Sequence, residues 1–304
     1  MVRKSSRLPP SLNGTTIVLT RALALCGGHT TLTGDVNGDD TPDVTVDGSA
    51  VLFPFDVIDV FSSHNTVSSL RVLAPSAARV GGIAINPTPA VATTMVDNII
   101  THNVVIGGAI FVGAGFDFSN PDQSFNGATV KRIIVRDNTV SSAPGPGIEA
   151  FILGDHHEIR DVTITGNTVS GNTIGILAFG GESDPSNPND DGATDNRLQV
   201  TINDNLVTGN SNPGGTAGIA LFGGLSSSSH NQVTADILDN TLTDNDGSGI
   251  SVGAGQENSS QNRVKVKIGG NELENNAGVG IFTYGALEGV KRQYALCELR
   301  VCQS

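Results

Sequence analysis

The sequence has few of the residues that define several large classes of protein. No tryptophan occurs among its 304 residues, and only three cysteines are present, Cys26, Cys297 and Cys302. An odd number of cysteines, none of them between positions 31 and 285, excludes a disulfide framework as the main source of stability. No apolar run approaches the ~18–20 residues that a membrane span requires, so insertion into a membrane is not predicted.

Basic residues are also scarce. Only 17 lysines and arginines stand against 30 aspartates and glutamates, which gives a net charge of −13. Nucleic acids and anionic membrane surfaces bind basic faces, so neither is predicted as a partner. Charged residues make up 15% of the chain, whereas glycine occurs 38 times. This composition suits short strands joined by many turns better than it suits helices.

A ten-residue pattern recurs along the chain. It reads Asn-Arg-Leu-Gln-Val-Thr-Ile-Asn-Asp-Asn at 196–205, and close copies occupy 231–240 and 262–271. Looser copies end at Asn138 and Asn167, and a motif that begins Gly-Ile follows each copy. Repeats of this period with alternating apolar residues indicate a β-solenoid.

Three short strands can be placed in each repeat. Apolar pairs such as Val200 and Ile202 put two side chains on one face of a first strand, and Asn-x-Val begins a second strand after a turn. The Gly-Ile motif supplies the third strand. The turn asparagines are expected to hydrogen-bond from coil to coil and to adopt a left-handed backbone. The sequence therefore predicts an all-β fold, a right-handed parallel β-helix of about seven coils.

The repeats place the expected β-helix domain at residues 31–285. The segment 1–30 is assigned as an N-terminal segment and cap, because prolines and an arginine interrupt its apolar stretch and make it a poor secretory signal. Residues 286–304 depart from the repeat and are either a cap or a non-native tail. Open ends of a solenoid expose unpaired strand edges, so end-to-end self-association is an expected risk.

One repeat position carries an aromatic residue in four coils. The residues are Phe151, Phe179, Phe222 and Tyr284. Packing against neighbouring coils is the simplest interpretation, and stacking against a sugar ring is the alternative.

The segment from Asp35 to Asp43 has oxygen-bearing residues at alternate positions. The predicted ligands are the side chains of Asp35, Asn37, Asp39 and Asp43 with the carbonyl of Thr41. One turn of chain with this spacing can wrap a hard cation that takes about six to eight oxygen ligands. The sequence predicts a structural calcium site here, and an ordinary acidic turn is the alternative.

A short loop between two long loops predicts a cleft on one edge of the solenoid. The loops at about 113–128 and 180–195 are long, and the loop between them is short. The floor of the cleft is predicted to carry four catalytic residues, Asp155, His156, His157 and Glu158. Two imidazoles among carboxylates can perform general acid–base catalysis or hold a metal. The alternative is a polar turn in which Glu158 replaces the asparagine of other repeats.

Acidic residues of the two long loops are predicted to form the walls of this cleft. The predicted substrate-binding residues are Glu182, Asp184 and Asp117, with Asp122, Asp190 and Asp191 beside them. One imidazole of the floor is expected to lie near carboxylates and to keep its proton to a higher pH than a free histidine. On the outward face of the first strand, Arg132 is expected to pair with Asp161.

These motifs resemble the pectin-lyase-like family of right-handed parallel β-helix repeat proteins. The Asn-x-Val and Gly-Ile-x-Val repeats carry the resemblance, which covers about residues 31–285. The segment Asp35–Asp43 is similar to the calcium loops of dockerin and integrin β-propeller repeats, although Asp40 stands where those loops have glycine.

The family includes polysaccharide lyases, glycoside hydrolases, uronan epimerases and non-catalytic surface proteins. The resemblance therefore implies an extracellular or cell-surface protein that is secreted and acts on a polysaccharide as a lyase, hydrolase or epimerase. A non-catalytic surface, adhesion or carbohydrate-binding protein is the alternative.

Overall fold

The computed structural model describes residues 4–7, 10–51, 55–75, 81–115, 125–183, 192–255, 259–285 and 294–299, and only the backbone of 4–7, 10, 213–214 and 294–299. A 3-10 turn, Pro10–Leu12, is the only helical turn in these ranges. No helix in this part of the chain has the length and apolar character needed to cross a membrane.

The strands are short and follow one another along the whole chain. The first group is β1 (Lys4–Arg7), β2 (Thr16–Val18), β3 (Leu23–Leu25), β4 (Thr30–Thr33), β5 (Val44–Asp47), β6 (Ile58–Val60), β7 (Thr66–Ser68), β8 (Leu70–Leu73), β9 (Ile83–Ile85), β10 (Thr94–Val96), β11 (Ile99–Thr101) and β12 (Val104–Ile106). The middle group is β13 (Ile110–Ala114), β14 (Thr129–Arg136), β15 (Thr139–Ser141), β16 (Pro146–Leu153), β17 (Glu158–Thr165), β18 (Thr168–Ser170), β19 (Ile174–Glu182), β20 (Ala193–Thr194), β21 (Arg197–Asn203) and β22 (Leu206–Thr208). The last group is β23 (Ser211–Phe222), β24 (Ser228–Ser229), β25 (Gln232–Leu238), β26 (Thr241–Thr243), β27 (Asp246–Gly253), β28 (Arg263–Gly269), β29 (Glu272–Glu274), β30 (Ile281–Tyr284) and β31 (Tyr294–Leu299).

Three long sheets contain nearly all of these strands. The first sheet has the order β1-β4-β7-β11-β14-β17-β21-β25-β28-β31, with β10 also beside β14. The second sheet is β2-β5-β8-β12-β15-β18-β22-β26-β29, and the third is β3-β6-β9-β13-β16-β19-β23-β27-β30. Neighbouring strands pair in parallel, as β14 does with β17, β15 with β18 and β16 with β19. The chain is a parallel β-helix with three strands per coil, as the repeats predict.

The stack extends beyond the seven coils counted from the repeats. Nine strands stack in the second sheet and nine in the third. The segment 1–30 contributes β1, β2 and β3, which pair with the next strand of each sheet. Within 286–304, β31 pairs with β28 and continues the first sheet.

The core lies between the three sheets. Val200 and Ile202 are 1% and 0% exposed, and the register aligns Val162, Val200 and Ala235 in one column and Ile164, Ile202 and Ile237 in the next. These inward columns confirm the predicted strand face. Burial of such side chains stabilises the fold by roughly 1.5–3 kcal/mol each.

Buried asparagines connect the coils at the turn between the first and second sheets. In each step the backbone N–H and the side-chain Nδ2 of one asparagine donate to the Oδ1 of the next, as from Asn138 to Asn167 and from Asn167 to Asn205. A second ladder at the next turn runs through Asn172, Asn210 and Asn245. The predicted coil-to-coil hydrogen bonds are therefore confirmed.

The sequence predicts that the asparagine adopts the left-handed backbone of this turn. In the structure, the residue before the asparagine does so instead. Asp137, Asp204 and Asp239 have φ of 54°, 56° and 54°. Aspartate tolerates this conformation better than most residues do, and glycine accepts it freely at Gly166 (φ 66°). The ladder asparagine can then direct its amide along the stack.

Candidate functional site

The predicted catalytic loop, residues 155–158, joins the third sheet to the first. Asp155 uses Oδ1 to accept hydrogen bonds from the backbone N–H of Thr194 at 2.7 Å and from its hydroxyl at 2.9 Å. Asp155 therefore ties this loop to the corresponding loop of the next coil.

His156 occupies a left-handed turn position with φ of 60°. Its exposed side chain places Nε2 3.8 Å from the carboxylate of Asp195, which has φ of 56° in the next coil. His64 and His102 also have positive φ and lie 3.4 Å and 3.8 Å from Asp97 and Asp137. Since histidine is one of the side chains that tolerate this backbone, a turn position accounts for His156 without a catalytic role.

His157 is buried and belongs to a third ladder. Its backbone N–H donates to Asn196 Oδ1 at 2.7 Å, as Asn196 donates to Asn231 one coil further on. Its Nδ1 accepts the backbone N–H of Ala128 at 2.9 Å. His157, and not Glu158, therefore takes the place of the asparagine found in other coils.

The expectation that an imidazole of this loop keeps its proton to a higher pH is wrong for His157. Desolvation lowers the pKa of His157 to about 4, and the backbone groups of Phe125 and Leu153 only partly oppose this shift. Its Nε2 has no hydrogen-bond partner in the part of the chain that the structure describes. His157 is neutral at physiological pH because a charged imidazole cannot be solvated there.

Glu158 begins β17 on the outward side of the first sheet. Its carboxylate lies 3.0 Å from Lys131 Nζ and 3.5 Å from Arg160 Nη1. The four residues of the predicted floor thus contact four different sets of partners, so their side chains do not meet at one point. These residues are Asp155, His156, His157 and Glu158. Of the predicted wall residues, Glu182 ends β19, whereas Asp117 and Asp184 lie outside the described residues, as do Asp122, Asp190 and Asp191.

A different set of side chains lies on the outward side of the third sheet. Two columns of outward positions follow from the register. The first column is Ala24, Asp59, Ala84, Phe111, Glu149, Leu177, Ala220, Ser251 and Phe282. The second column contains Gly113, Phe151, Phe179, Phe222, Gly253 and Tyr284. We call these two columns the outer face.

Aromatic rings pack along the outer face. Phe151 stacks on Phe179 with ring centroids 6.0 Å apart, and it meets Phe111 edge-on at 5.9 Å. The Phe151 ring leans over Gly113, where an added Cβ would come within 2.5 Å of it. Phe179 is 3% exposed, whereas Phe151 is only half-buried. The packing interpretation holds for Phe179, and Phe151 keeps an accessible side.

Glu149 lies beside these rings on β16. Its neighbours in the column are Phe111 on one side and Leu177 on the other. Desolvation, with a further contribution from the negative charge of Glu182, raises the pKa of Glu149 to about 8. Glu149 is therefore largely protonated at neutral pH, although its side chain is not fully enclosed.

Sequence reasoning missed Glu149 although a signal was present. In the Gly-Ile motif the position after isoleucine is Leu177, Ala220 or Ser251 in other coils, and Glu149 is the one carboxyl among them. The burial of that position, which gives the carboxyl its unusual pKa, could be seen only once the outer face was known.

A second pair of acids is buried nearer the N-terminal end of the outer face. Asp56 and Asp59 are 4% and 0% exposed, and among the described residues no donor lies within hydrogen-bond distance of the Asp59 carboxyl oxygens. Asp56 accepts the backbone N–H of Gly81. Desolvation raises the pKa of Asp56 to about 7 and that of Asp59 to about 9, and the charge of Asp56 adds to the second shift. This pair also went unnoticed in the sequence.

The carboxylates of the predicted calcium loop accept hydrogen bonds from other groups of the same loop. Asp43 Oδ2 accepts the N–H groups of Val36 and Asn37 at 2.8 and 3.2 Å, and Asn37 donates to Asp39 at 3.1 Å. Asp35 accepts backbone N–H groups of the same loop. Among the described residues no group of three or more His, Cys, Asp and Glu side chains is arranged as a metal site. Calcium binding at Asp35–Asp43 stays a prediction.

The outward side of the first sheet carries eight of the 17 lysines and arginines. Eight occur on its strands β14, β17, β21 and β28, namely Lys131, Arg132, Arg136, Arg160, Arg197, Arg263, Lys265 and Lys267. The sequence predicts that Arg132 pairs with Asp161, but Asp161 is not its main partner. Arg132 instead forms a two-bond contact with Asp97, at 2.6 and 2.8 Å, because Asp97 occupies the aligned turn in the preceding coil.

No protein-family model matches the chain, and no curated protein gives a significant match. Among solved structures, the chain is similar to the A-module of the mannuronan C-5 epimerase AlgE4 of Azotobacter vinelandii, with 11% identity, a TM-score of 0.36, and coverage of 91% of this chain and 89% of that one. It is also similar to the Dettilon tailspike protein, with 12% identity, a TM-score of 0.26, and coverage of 89% and 61% respectively. The fold assignment rests on the strands and pairings described above.

Proposed function

We propose that the protein is a secreted carbohydrate-active protein whose site lies on the outer face around Glu149 and Phe151. Glu149 carries the proposal. A carboxyl group that is protonated at neutral pH and partly accessible can donate a proton to a substrate oxygen. Its raised pKa, about 8, results from an environment that also offers aromatic surface at Phe111 and Phe151.

Glu182 supports the same assignment. Its negative charge contributes to the raised pKa of Glu149, so the two carboxyl groups are electrostatically coupled. One protonated and one ionised carboxyl group is the combination that glycoside hydrolysis requires, and lyases and epimerases also use an acid together with a base. The proposal therefore includes Glu182 as a substrate-side residue and Glu149 as the acid.

A non-catalytic carbohydrate-binding protein is the second candidate. It is favoured by the burial of Leu177 and Phe179, which are 8% and 3% exposed beside the site. Their burial confines the accessible aromatic surface near Glu149 to a short stretch of the outer face. Such a surface suits a binding subsite as well as a catalytic cleft.

An activity screen on a polysaccharide panel separates the two candidates. Reducing ends report hydrolysis, ultraviolet absorbance of unsaturated uronate reports a lyase, and proton NMR of the polymer reports epimerisation. Glu149→Gln should lower kcat/KM by about 100- to 10,000-fold, because it removes the proton while keeping the shape of the side chain.

Glu158→Gln is the matched control, since Glu158 lies on the first sheet in contact with Lys131. It should leave the activity unchanged. Binding of a glycan without turnover would support the second candidate. Activity that survives Glu149→Gln but not Glu158→Gln would place the site on the first sheet and refute the proposal.

A further inference from the structure

At two places on the outer face an aromatic ring leans over a glycine of the preceding coil. The Phe151 ring lies over Gly113, and the Tyr284 ring lies over Gly253. At both glycines an added Cβ would come within 2.5 Å of the ring. All four residues belong to the second column, in which Gly113 aligns with Phe151 and Gly253 with Tyr284. The same arrangement of glycine and ring therefore occurs twice on one face.

A second aromatic residue accompanies each of these rings. Phe111, on the strand of Gly113, meets Phe151 edge-on with ring centroids 5.9 Å apart. Phe282, on the strand of Tyr284, has its ring centroid 5.4 Å from that of Tyr284, with an angle of 38° between the ring planes. We call Phe111 and Phe151 the first platform, and Phe282 and Tyr284 the second platform.

Both platforms keep accessible ring surface. Phe282 is 46% exposed, and Tyr284 is half-buried, as Phe151 is in the first platform. The rings of the coils between them are different, because Phe179 and Phe222 are only 3% and 7% exposed. The outer face therefore has two accessible aromatic patches that are separated by buried rings.

The two platforms lie in register along the stack. Phe151 and Tyr284 occupy the same column, and four steps from strand to strand separate them. Neighbouring strands are about 4.8 Å apart, so the two positions are about 19 Å apart along the axis of the β-helix. An extended polymer that lies along the outer face meets both platforms.

We infer that Phe282 and Tyr284 form a second carbohydrate-binding subsite and that one polysaccharide chain spans both platforms. The inference rests on the proposed function and extends it along the outer face. Sugar rings present apolar C–H faces that pack on aromatic rings, and accessible aromatic side chains are typical of ligand sites. Aromatic rings also stack on nucleobases, but the net charge of −13 opposes the approach of a phosphate backbone.

Two linked subsites make the affinity depend on the length of the chain. Once a long chain has bound one platform, its contact with the other is intramolecular, which raises the overall affinity without any new kind of contact. A chain shorter than about 19 Å reaches only one platform at a time. The second platform should therefore select long chains and help to hold them against the site around Glu149.

Isothermal titration with two lengths of ligand tests the inference. The probes are disaccharides and long oligosaccharides of galactomannan, arabinoxylan, polygalacturonate and polymannuronate. Long chains of at least one of these polymers should bind at least about tenfold more tightly than the corresponding disaccharide. Tyr284→Leu should weaken long-chain binding by about tenfold, because the ring is lost, and should leave the affinity of the first platform for the disaccharide unchanged.

Tyr284→Phe is the matched control, because it keeps the ring, and it should bind long chains as the wild type does. Phe282→Leu tests the same platform at its most exposed residue, where a substitution disturbs the fold least. Long-chain binding that Phe151→Leu weakens, and that neither Tyr284→Leu nor Phe282→Leu affects, would overturn the inference and leave the proposed site intact. Binding that depends on Tyr284 and not on Phe151 would refute the proposed site and, with it, the shared chain.

Discussion

His157 occupies, at the turn between the third and first sheets, the place that Asn196 and Asn231 occupy in later coils. An asparagine Oδ1 can accept the Ala128 N–H that now donates to the imidazole. His157→Asn should therefore keep the melting temperature at neutral pH. His157→Ala should lower the free energy of unfolding by about 1–3 kcal/mol, because the buried N–H of Ala128 is left without an acceptor.

The same residue makes the fold sensitive to acid. The pKa of His157 is lowered from 6.5 to about 4, so between these values the unfolded chain binds a proton that the folded chain does not. Stability should fall as the pH falls through this window, and His157→Asn should remove that part of the loss. Thermal melts across the window measure it. Equal acid sensitivity of the wild type and His157→Asn would contradict the burial of this imidazole.

The buried pair of Asp56 and Asp59 should have the opposite effect, because its contribution to stability decreases as the pH rises. The pKa values of Asp56 and Asp59 are raised from 3.8 to about 7 and about 9, so the folded state holds protons that the unfolded state releases. The contribution of this pair to stability is fully present at low pH and should be lost as the pH rises from about 4 to about 9. Asp59→Asn should flatten this decline, whereas the exposed control Asp161→Asn should not. Melting temperatures that change with pH in the same way in the wild type and in Asp59→Asn would contradict the buried pair.

At the scale of single elements, the calcium loop gives a direct test. A ligand that binds only the folded chain stabilises it, by about 3 kcal/mol at a hundredfold excess over Kd. A chelator should therefore lower the melting temperature of the wild type, and Asp39→Ala should abolish the difference.

Asp40→Asn is the control in that experiment, because Asp40 is not a predicted ligand and its φ of 63° suits asparagine. It should respond to the chelator as the wild type does. Identical melts of the wild type with chelator and with excess calcium would show that the segment from Asp35 to Asp43 is an ordinary turn.

The strands could be predicted because local pattern determines them. Alternation at Val200 and Ile202 marks the inward face wherever the strand lies, and the turn asparagines mark the coil length. The pairing of Arg132 could not be predicted, because it depends on which turn of the preceding coil is aligned with it. His157 was misassigned for the same reason. A histidine in a loop resembles a catalytic residue until its neighbours in the stack are known.

At the scale of the whole molecule, the described basic side chains are concentrated on one sheet of the β-helix. Because each coil contributes one strand to each sheet, a preference at one repeat position becomes a continuous stripe along the stack. Among the described residues, basic side chains are concentrated on the first sheet, whereas the third sheet carries aromatic rings and Glu149, whose pKa is raised. The position of a residue in the repeat therefore decides which kind of partner it can meet.

The protonation of Glu149 tests this account most directly. A carbon-13 NMR titration of its side-chain carboxyl, assigned by comparison with Glu149→Gln, should give a midpoint of about 8 instead of the ordinary 4.5. A polysaccharide that binds at the site should shift both the resonance and its midpoint. A midpoint near 4.5 that no glycan changes would contradict the claim that Glu149 is the acid of a carbohydrate site.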